Sequence, residues 1–244
     1  MASEKIRNIL SSAKQTGWVL EPEAKRLLSL AGLEVPRFTW ATRIEEALGH
    51  ARRIGYPVVA KVVSPEVLHK SDVNGVVVDI GEDSALRAVF DRFGKIEGFA
   101  GILIEEQLSG IELIVGSKID YQFGPVVLLG MGGTSVEIYG DTTLRMAPLD
   151  EDDPPRMVKA LKAHPLLEGY RGASPVDLTA LGRLLMALSD LVLEIESAID
   201  SIDLNPVICF EDKCVVADAR IVLNRERKKN ASNSRPPSKE QPRP

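Results

Sequence analysis

The chain has 244 residues, of which 44% are hydrophobic, 27% charged and 5% aromatic, and this composition excludes a fibrous, collagen-like or wholly disordered protein. The net charge of −5 is divided unevenly: residues 223–244 hold seven Lys or Arg against two acids, leaving 23 basic and 33 acidic residues in the first 222. An acidic body without a basic stripe argues against nucleic acid as a main partner, and no apolar run approaches the ~20 residues of a membrane helix. The charged start MASEKIRNILSSAK predicts no secretion signal, and two cysteines are too few for a disulfide framework. A cytoplasmic, reduced protein with a thiol pair is the expectation.

In chain order, a helix is predicted near residues 3–15, and a second from Pro22 to Gly32 with Ala24, Leu27, Leu28 and Ala31 on one apolar face. Phe38 and Trp40 fall in a short strand. Thr42 to Glu45 reads as a capping box that opens a helix to about Ile54. Residues 57–63, PVVAKVV, read as a buried strand. A polar loop, the strand Val76–Ile80 and a helix capped by Asp83 follow, that helix turning Leu86, Val89, Phe90 and Phe93 inward. From Ile102 the segments ILIEEQL, IELIVGSKI, PVVLLG, SVEIY and TLRMAPL are short strands in quick succession, which predicts a mainly antiparallel sheet. The longest helix is expected over Asp177–Glu196, and the chain closes on a hairpin, SIDLNPVICF with KCVVADARI. The tail 223–244 lacks periodicity and is rich in Pro, Ser and charge, so it is expected to be disordered. The break near Gly98–Gly101 is the expected boundary between two subdomains.

Several residues look like chemistry. Lys61 lies inside an apolar strand, where an ammonium is costly unless an anion meets it; phosphate and a structural carboxylate are both open. The loop 64–75 offers Ser71, Lys70, backbone N–H groups and Gly75, the materials of a phosphate-contacting loop. His69 within it could attack phosphorus through a neutral ring nitrogen, with an ordinary surface histidine as the alternative. Glu105, Glu106, Gln107 and Leu108 end a strand and could present backbone groups to a base edge and a carboxylate to a ribose, with Glu112 in the next strand. The run Gly130-Met131-Gly132-Gly133-Thr134 is either a tight turn or a ligand contact. Glu137 and Arg145 lie on strands beyond it, and an arginine there could neutralise a transferring phosphoryl group.

The hairpin is the most informative part. If Phe210 pairs with Lys213, Asn205 falls opposite Asp218, Cys209 falls opposite Cys214, and Asp203 shares the face of Asn205. An Asn and two Asp form a hard-oxygen set suited to magnesium carrying nucleotide phosphates, with Pro206 as a possible source of a bulge.

With these pieces in order, the sequence resembles the ATP-grasp family, and within it the nucleotide-binding β subunits of ADP-forming acyl-CoA (acetyl-CoA) synthetases, relatives of succinyl-CoA synthetase. The resemblance rests on residues 56–80, 110–149, 166–178 and 202–221 and spans about 20–222. It implies an α+β fold in which two α/β subdomains clasp a nucleotide: an N-terminal helix (1–20) packing on the second subdomain, a first subdomain over 21–100, and a second over 101–222 with the magnesium hairpin, followed by the tail. It further implies that Lys61 grips ATP phosphates, that 105–108 line the adenine and ribose with Glu112, that Asp203, Asn205 and Asp218 serve Mg2+, and that His69 carries a phosphoryl group. The implied reaction couples acyl-CoA cleavage to formation of ATP from ADP and phosphate. It needs a CoA-binding α subunit with a second phosphohistidine, in a heterotetramer of two α and two β subunits. A stand-alone ATP-grasp carboxylate–amine ligase and a non-catalytic nucleotide-binding regulatory subunit are the alternatives.

Overall fold

The computed structural model describes residues 2–133, 140–172 and 174–224. The predicted strand SVEIY, with Glu137, and the tail from residue 225 lie outside the described residues, as does Thr134.

Two sheets, each with its own core, organise the chain. The smaller sheet is antiparallel, in the order β2 (Phe38–Ala41), β5 (Gly101–Glu106), β3 (Val58–Val63), β4 (Val76–Ile80). β3 is buried along its whole length. Its alternate residues Val58, Ala60 and Val62 join Ile102 and Ile104 in a core closed by α3 (Ile44–Ile54) and α4 (Asp83–Phe93), through Ala47, Leu48, Ala51, Leu86 and Phe93. With a period of two, Lys61 and Glu105 must point to the other face. That face is turned to α2 (Glu21–Leu30) and to the connection between β10 (Cys214–Val216) and β11 (Arg220–Leu223).

The larger sheet runs β1 (Trp18–Val19), β11, β9 (Ile199–Cys209), β6 (Ile111–Asp120), β7 (Gly124–Met131), β8 (Thr142–Met146), with β10 also paired to β9. Its core face is covered by α1 (Ala2–Ser12), α2, α5 (Asp153–Ala160) and α6 (Leu178–Ile195). The Asp177 carboxylate caps α6 by accepting from the N–H groups of Thr179 (2.8 Å) and Ala180 (3.0 Å). Seven aliphatic residues of α6, Leu181 to Ile195, enter the core, which is why this long, strongly apolar helix is an internal element. α2 has Pro22 in its first turn. It ends in a Schellman motif, with Gly32 at φ 87° and the N–H of Leu33 donating to the carbonyl of Leu28 at 3.0 Å.

The boundaries differ from the expectation at four places. α2 contributes Ala24, Leu27 and Leu28 to the larger core, and β5 pairs with β2 and β3 in the smaller sheet, so neither residue 21 nor residue 101 separates the two units. Gly101 looked like a boundary because the pattern of short strands begins there, whereas its partners lie earlier in the chain. The N-cap of α4 is Glu82; Asp83 is the first helical residue and pairs instead with Arg52 and with Tyr56, whose hydroxyl donates at 2.7 Å. At α3 it is Glu46 that reaches back to the N–H of Thr42, at 3.3 Å.

The hairpin register is as expected. The N–H of Phe210 donates to the carbonyl of Lys213, and Cys209 faces Cys214 with Cα atoms 4.2 Å apart. The two cysteines are joined as a disulfide rather than the expected thiol pair, because the tight turn makes them direct cross-strand neighbours. The ladder breaks at Pro206, whose carbonyl accepts from both Ala217 (3.0 Å) and Asp218 (3.3 Å), and resumes in the same register at Asp203 opposite Arg220.

Candidate active site

Where the two sheets meet, three ammonium groups surround three carboxylates. Lys61 Nζ donates to Glu21 Oε1 at 2.7 Å and lies 3.3 Å from Glu105 Oε2 and 3.9 Å from Asp218 Oδ2. Lys25, fully buried on α2, donates to Glu105 Oε1 and lies 3.1 Å from Glu21 Oε1. Lys70 lies 2.9 Å from Glu21 Oε2 and 3.1 Å from Asp218 Oδ1. Lys25 and Lys61 both donate to the carbonyl of Ala217, at 2.8 and 2.6 Å. Burial alone would suppress every one of these charges. At Glu21 burial is outweighed by Lys61, Lys70 and Lys25, which hold the carboxyl far below the usual carboxylate range. At Lys61 burial is outweighed by Glu105, Glu21 and Asp218, which raise it well above an ordinary lysine. Lys70 is raised for the same reason by Glu21 and Asp218. Lys25 goes the other way, because burial and the neighbouring Lys61 exceed the pull of Glu105 and Glu21.

Beside this cluster opens a cleft of about 290 Å³, lined by residues 18–21, by Ser64, His69, Lys70 and Ser71, and by Asp203, Asn205 and Asp218 to Arg220. The three metal candidates therefore share one cavity with His69. Arg220 joins two of these residues: its Nη2 donates to Asp203 Oδ2 at 2.8 Å, while its Nη1 lies 3.1 Å from Nδ1 and 3.2 Å from Nε2 of His69.

Other expected residues stand elsewhere. Gly75 does not line the cleft. Its N–H already donates to the Lys70 carbonyl at 2.7 Å, and a Cβ there would meet Val62 Cγ1 at 2.5 Å, so it is a close-packing glycine. Asn74 before it adopts φ 49°, a left-handed conformation that Asn tolerates. Glu105 is turned into the lysine cluster and does not face outward toward a ribose. Glu106 binds Arg37 at 2.7 Å, and Gln107 accepts from the N–H of Asp79 at 2.7 Å, so both side chains serve the smaller sheet. Leu108 is half-buried in the connection to β6, and Glu112 is exposed on β6. Gly132 packs on Glu112, donating to its carbonyl at 2.8 Å, which makes this glycine run a close backbone approach. Arg145 lies on the wrong face of the sheet: it sits opposite the core residue Val127 and 3.6 Å from Asp153, whereas Asp203 shares its face with Gly116, Leu128 and Leu144.

Sequence reasoning missed Glu21, Lys25 and Arg220. The signals were an i,i+4 Glu–Lys pair in the first turn of α2, and the same hairpin register extended two residues beyond Asp218.

The donor set fits a magnesium ion. Asn205, Asp203 and Asp218 supply oxygen only, and Mg2+ keeps several waters and shares its ligands with phosphates, so one or two carboxylates suffice. Among the described residues no group of three or more His, Cys, Asp or Glu is gathered closely enough to hold a metal ion by itself. Among them also, no helix is long and apolar enough to cross a membrane.

A two-sheet clasp with a buried lysine and a hard-oxygen hairpin is the architecture of a nucleotide-dependent ligase, and a model of the ATP-grasp domain matches residues 11–223: the chain belongs to the ATP-grasp family. It is similar to the β subunit of ADP-forming acetate–CoA ligase I of Pyrococcus furiosus, at 40% identity over 228 residues that cover 90% of this chain and 98% of that one. It is also 40% identical to the ADP-forming acetate–CoA ligase I of Archaeoglobus fulgidus, covering 92% of this chain and 33% of that longer one. Among solved structures, acetyl-coenzyme A synthetase 1 of Candidatus Korarchaeum cryptofilum, in complex with coenzyme A and Ca-AMPCP, superposes with a TM-score of 0.83 at 41% identity, covering 89% of this chain and 99% of that one. The same enzyme with coenzyme A and Mg-AMPPCP, its phosphohistidine segment pointing towards the nucleotide binding site, gives a TM-score of 0.79.

Proposed function

We propose that this chain is the nucleotide-binding β subunit of an ADP-forming acyl-CoA synthetase, with acetyl-CoA as the first substrate to test. It works in the cytoplasm with a separate CoA-binding α subunit, two copies of each. The observation that carries this reading is the meeting of His69 with Asp203, Asn205 and Asp218 on one cleft, beside the buried Lys61.

In this reading a nucleotide enters between the sheets. Its base lies along the connection at Leu108 and its ribose near Glu112. Its phosphates take over ammonium partners that Glu21 and Asp218 now hold on Lys61 and Lys70, with Ser71 at the rim. Mg2+, when bound by Asn205 and Asp218 with Asp203 in support, neutralises polyphosphate charge. His69 sits on a loop rather than a strand, which suits a group that receives a phosphoryl from a partner and presents it to ADP. A carboxylate–amine ligase, which forms an acyl phosphate directly, has no use for that histidine.

Reconstitution tests the proposal. Mixed with a CoA-binding partner subunit, the chain is expected to form ATP from acetyl-CoA, ADP and phosphate, and to form none alone. ATP formation that does not require CoA thioester would overturn it.

A further inference from the structure

Phosphoryl transfer to a histidine builds charge on three oxygens beside the ring, and a guanidinium placed there stabilises that charge through two parallel hydrogen bonds. The sequence pointed to Arg145 for this role, but that side chain lies on the helix-covered face, next to Asp153. One arginine does border the cleft together with His69. Arg220 has Nη1 within 3.2 Å of both ring nitrogens while Asp203 holds its Nη2 at 2.8 Å, so the guanidinium is anchored on one side and open to the imidazole on the other. The anchoring is built into the fold, because Arg220 and Asp203 are direct cross-strand partners of β11 and β9. The side chain keeps 31% exposure, so oxygens arriving from the cleft can reach it.

We infer that Arg220 is the arginine that faces the phosphoryl group carried by His69. This rests on the proposed role of His69. In the step, a ring nitrogen lone pair forms the N–P bond as the bond from the γ-phosphorus to its bridging oxygen breaks, and the electron pair leaves with ADP. The ring gives up its remaining N–H proton to water, and ATP formation is the reverse. Arg220 exchanges no proton: it donates to the equatorial oxygens throughout. Contact with both ring nitrogens lets it serve whichever of them is phosphorylated.

The full chain with Mg-ATP, quenched in alkali, reports the rate of acid-labile phosphate formation at His69. Arg220→Met is expected to slow it by about 10²- to 10³-fold, the usual cost of one lost charge-stabilising donor, with Arg220→Lys intermediate because a point charge replaces the fork. A second reading avoids nucleotide chemistry: inorganic phosphate titrated into the protein should shift the His69 imidazole resonances in wild type and leave them unmoved in Arg220→Met, whose fold is checked by its melting transition. Labelling and phosphate response both retained in Arg220→Met, with labelling lost in Arg145→Met, would overturn the assignment. No labelling in wild type, with the phosphate response still dependent on Arg220, would instead sink the carrier role of His69 and leave the anion site at Arg220 standing.

Discussion

Lys61 on β3 and Glu21 at the start of α2 meet across the junction of the two sheets, with Nζ 2.7 Å from Oε1. Each is buried, and each is charged only because the other and its neighbours are there. The pair therefore links the placement of Lys61 to the stability of the whole chain.

That link sets an acid limb. The folded protein holds Glu21 as a carboxylate far below its value in the unfolded chain, so the unfolded state binds more protons as the solution acidifies. Its contribution is complete above the unfolded carboxylate value of about 4.3 and is lost as pH falls toward the folded value. Urea unfolding between about pH 5 and pH 3 should show falling stability, and Glu21→Gln should flatten that slope and cost about 3–5 kcal/mol at pH 7. A slope identical in wild type and Glu21→Gln would show that Glu21 is not held this way.

The Lys25–Glu105 contact should behave as one coupled pair within the buried cluster. Lys25→Met or Glu105→Gln alone is expected to cost about 1.5–3 kcal/mol, the loss of a hydrogen bond between charged groups, because Glu105 keeps Lys61 at 3.3 Å and Lys25 keeps Glu21 at 3.1 Å. The double variant should cost less than the two together by about 0.5–3 kcal/mol. Denaturant midpoints of the four proteins measure the coupling, and strict additivity would refute it.

Gly75→Ala should disturb the turn that carries Lys70, because its Cβ would meet Val62 Cγ1 at 2.5 Å and the Lys70 carbonyl at 3.0 Å. Overpacking of this kind costs about 1–3 kcal/mol. Nucleotide affinity by calorimetry should weaken along with the melting temperature; unchanged affinity would place Lys70 outside the nucleotide site.

The sequence carried more of the fold than of the site's wiring. The helices, the β3 and β4 strands and the C-terminal register were legible because each follows local periodicity or a two-residue turn, as in Cys209 opposite Cys214. The partners of Lys61 were not, because Glu21 and Glu105 come from distant elements brought together only by the way the sheets face each other. Arg145 was misplaced for a related reason: strand alternation says that neighbours face opposite ways, but not which face is the cleft until the register with β7 is known. Gly75 resembled a phosphate-loop glycine, yet its backbone is spent on Lys70 and Val62.

The hairpin makes a metal prediction. Asn205→Ala should raise the magnesium concentration needed for half-maximal nucleotide binding by about 10- to 100-fold, while barely moving binding without metal. A proportional loss in both conditions would mean that Asn205 acts on the hairpin's shape and not on the ion.

We propose that His69, on the cleft with Asp203, Asn205 and Asp218, carries the phosphoryl group. The most direct measurement is mass spectrometry of the chain after brief exposure to Mg-ATP, with His69→Ala as comparison and turnover assayed alongside in the presence of the partner subunit. Wild type is expected to carry an acid-labile, alkali-stable phosphate on His69, and His69→Ala to lose both the phosphate and turnover. Unimpaired turnover in His69→Ala would contradict it.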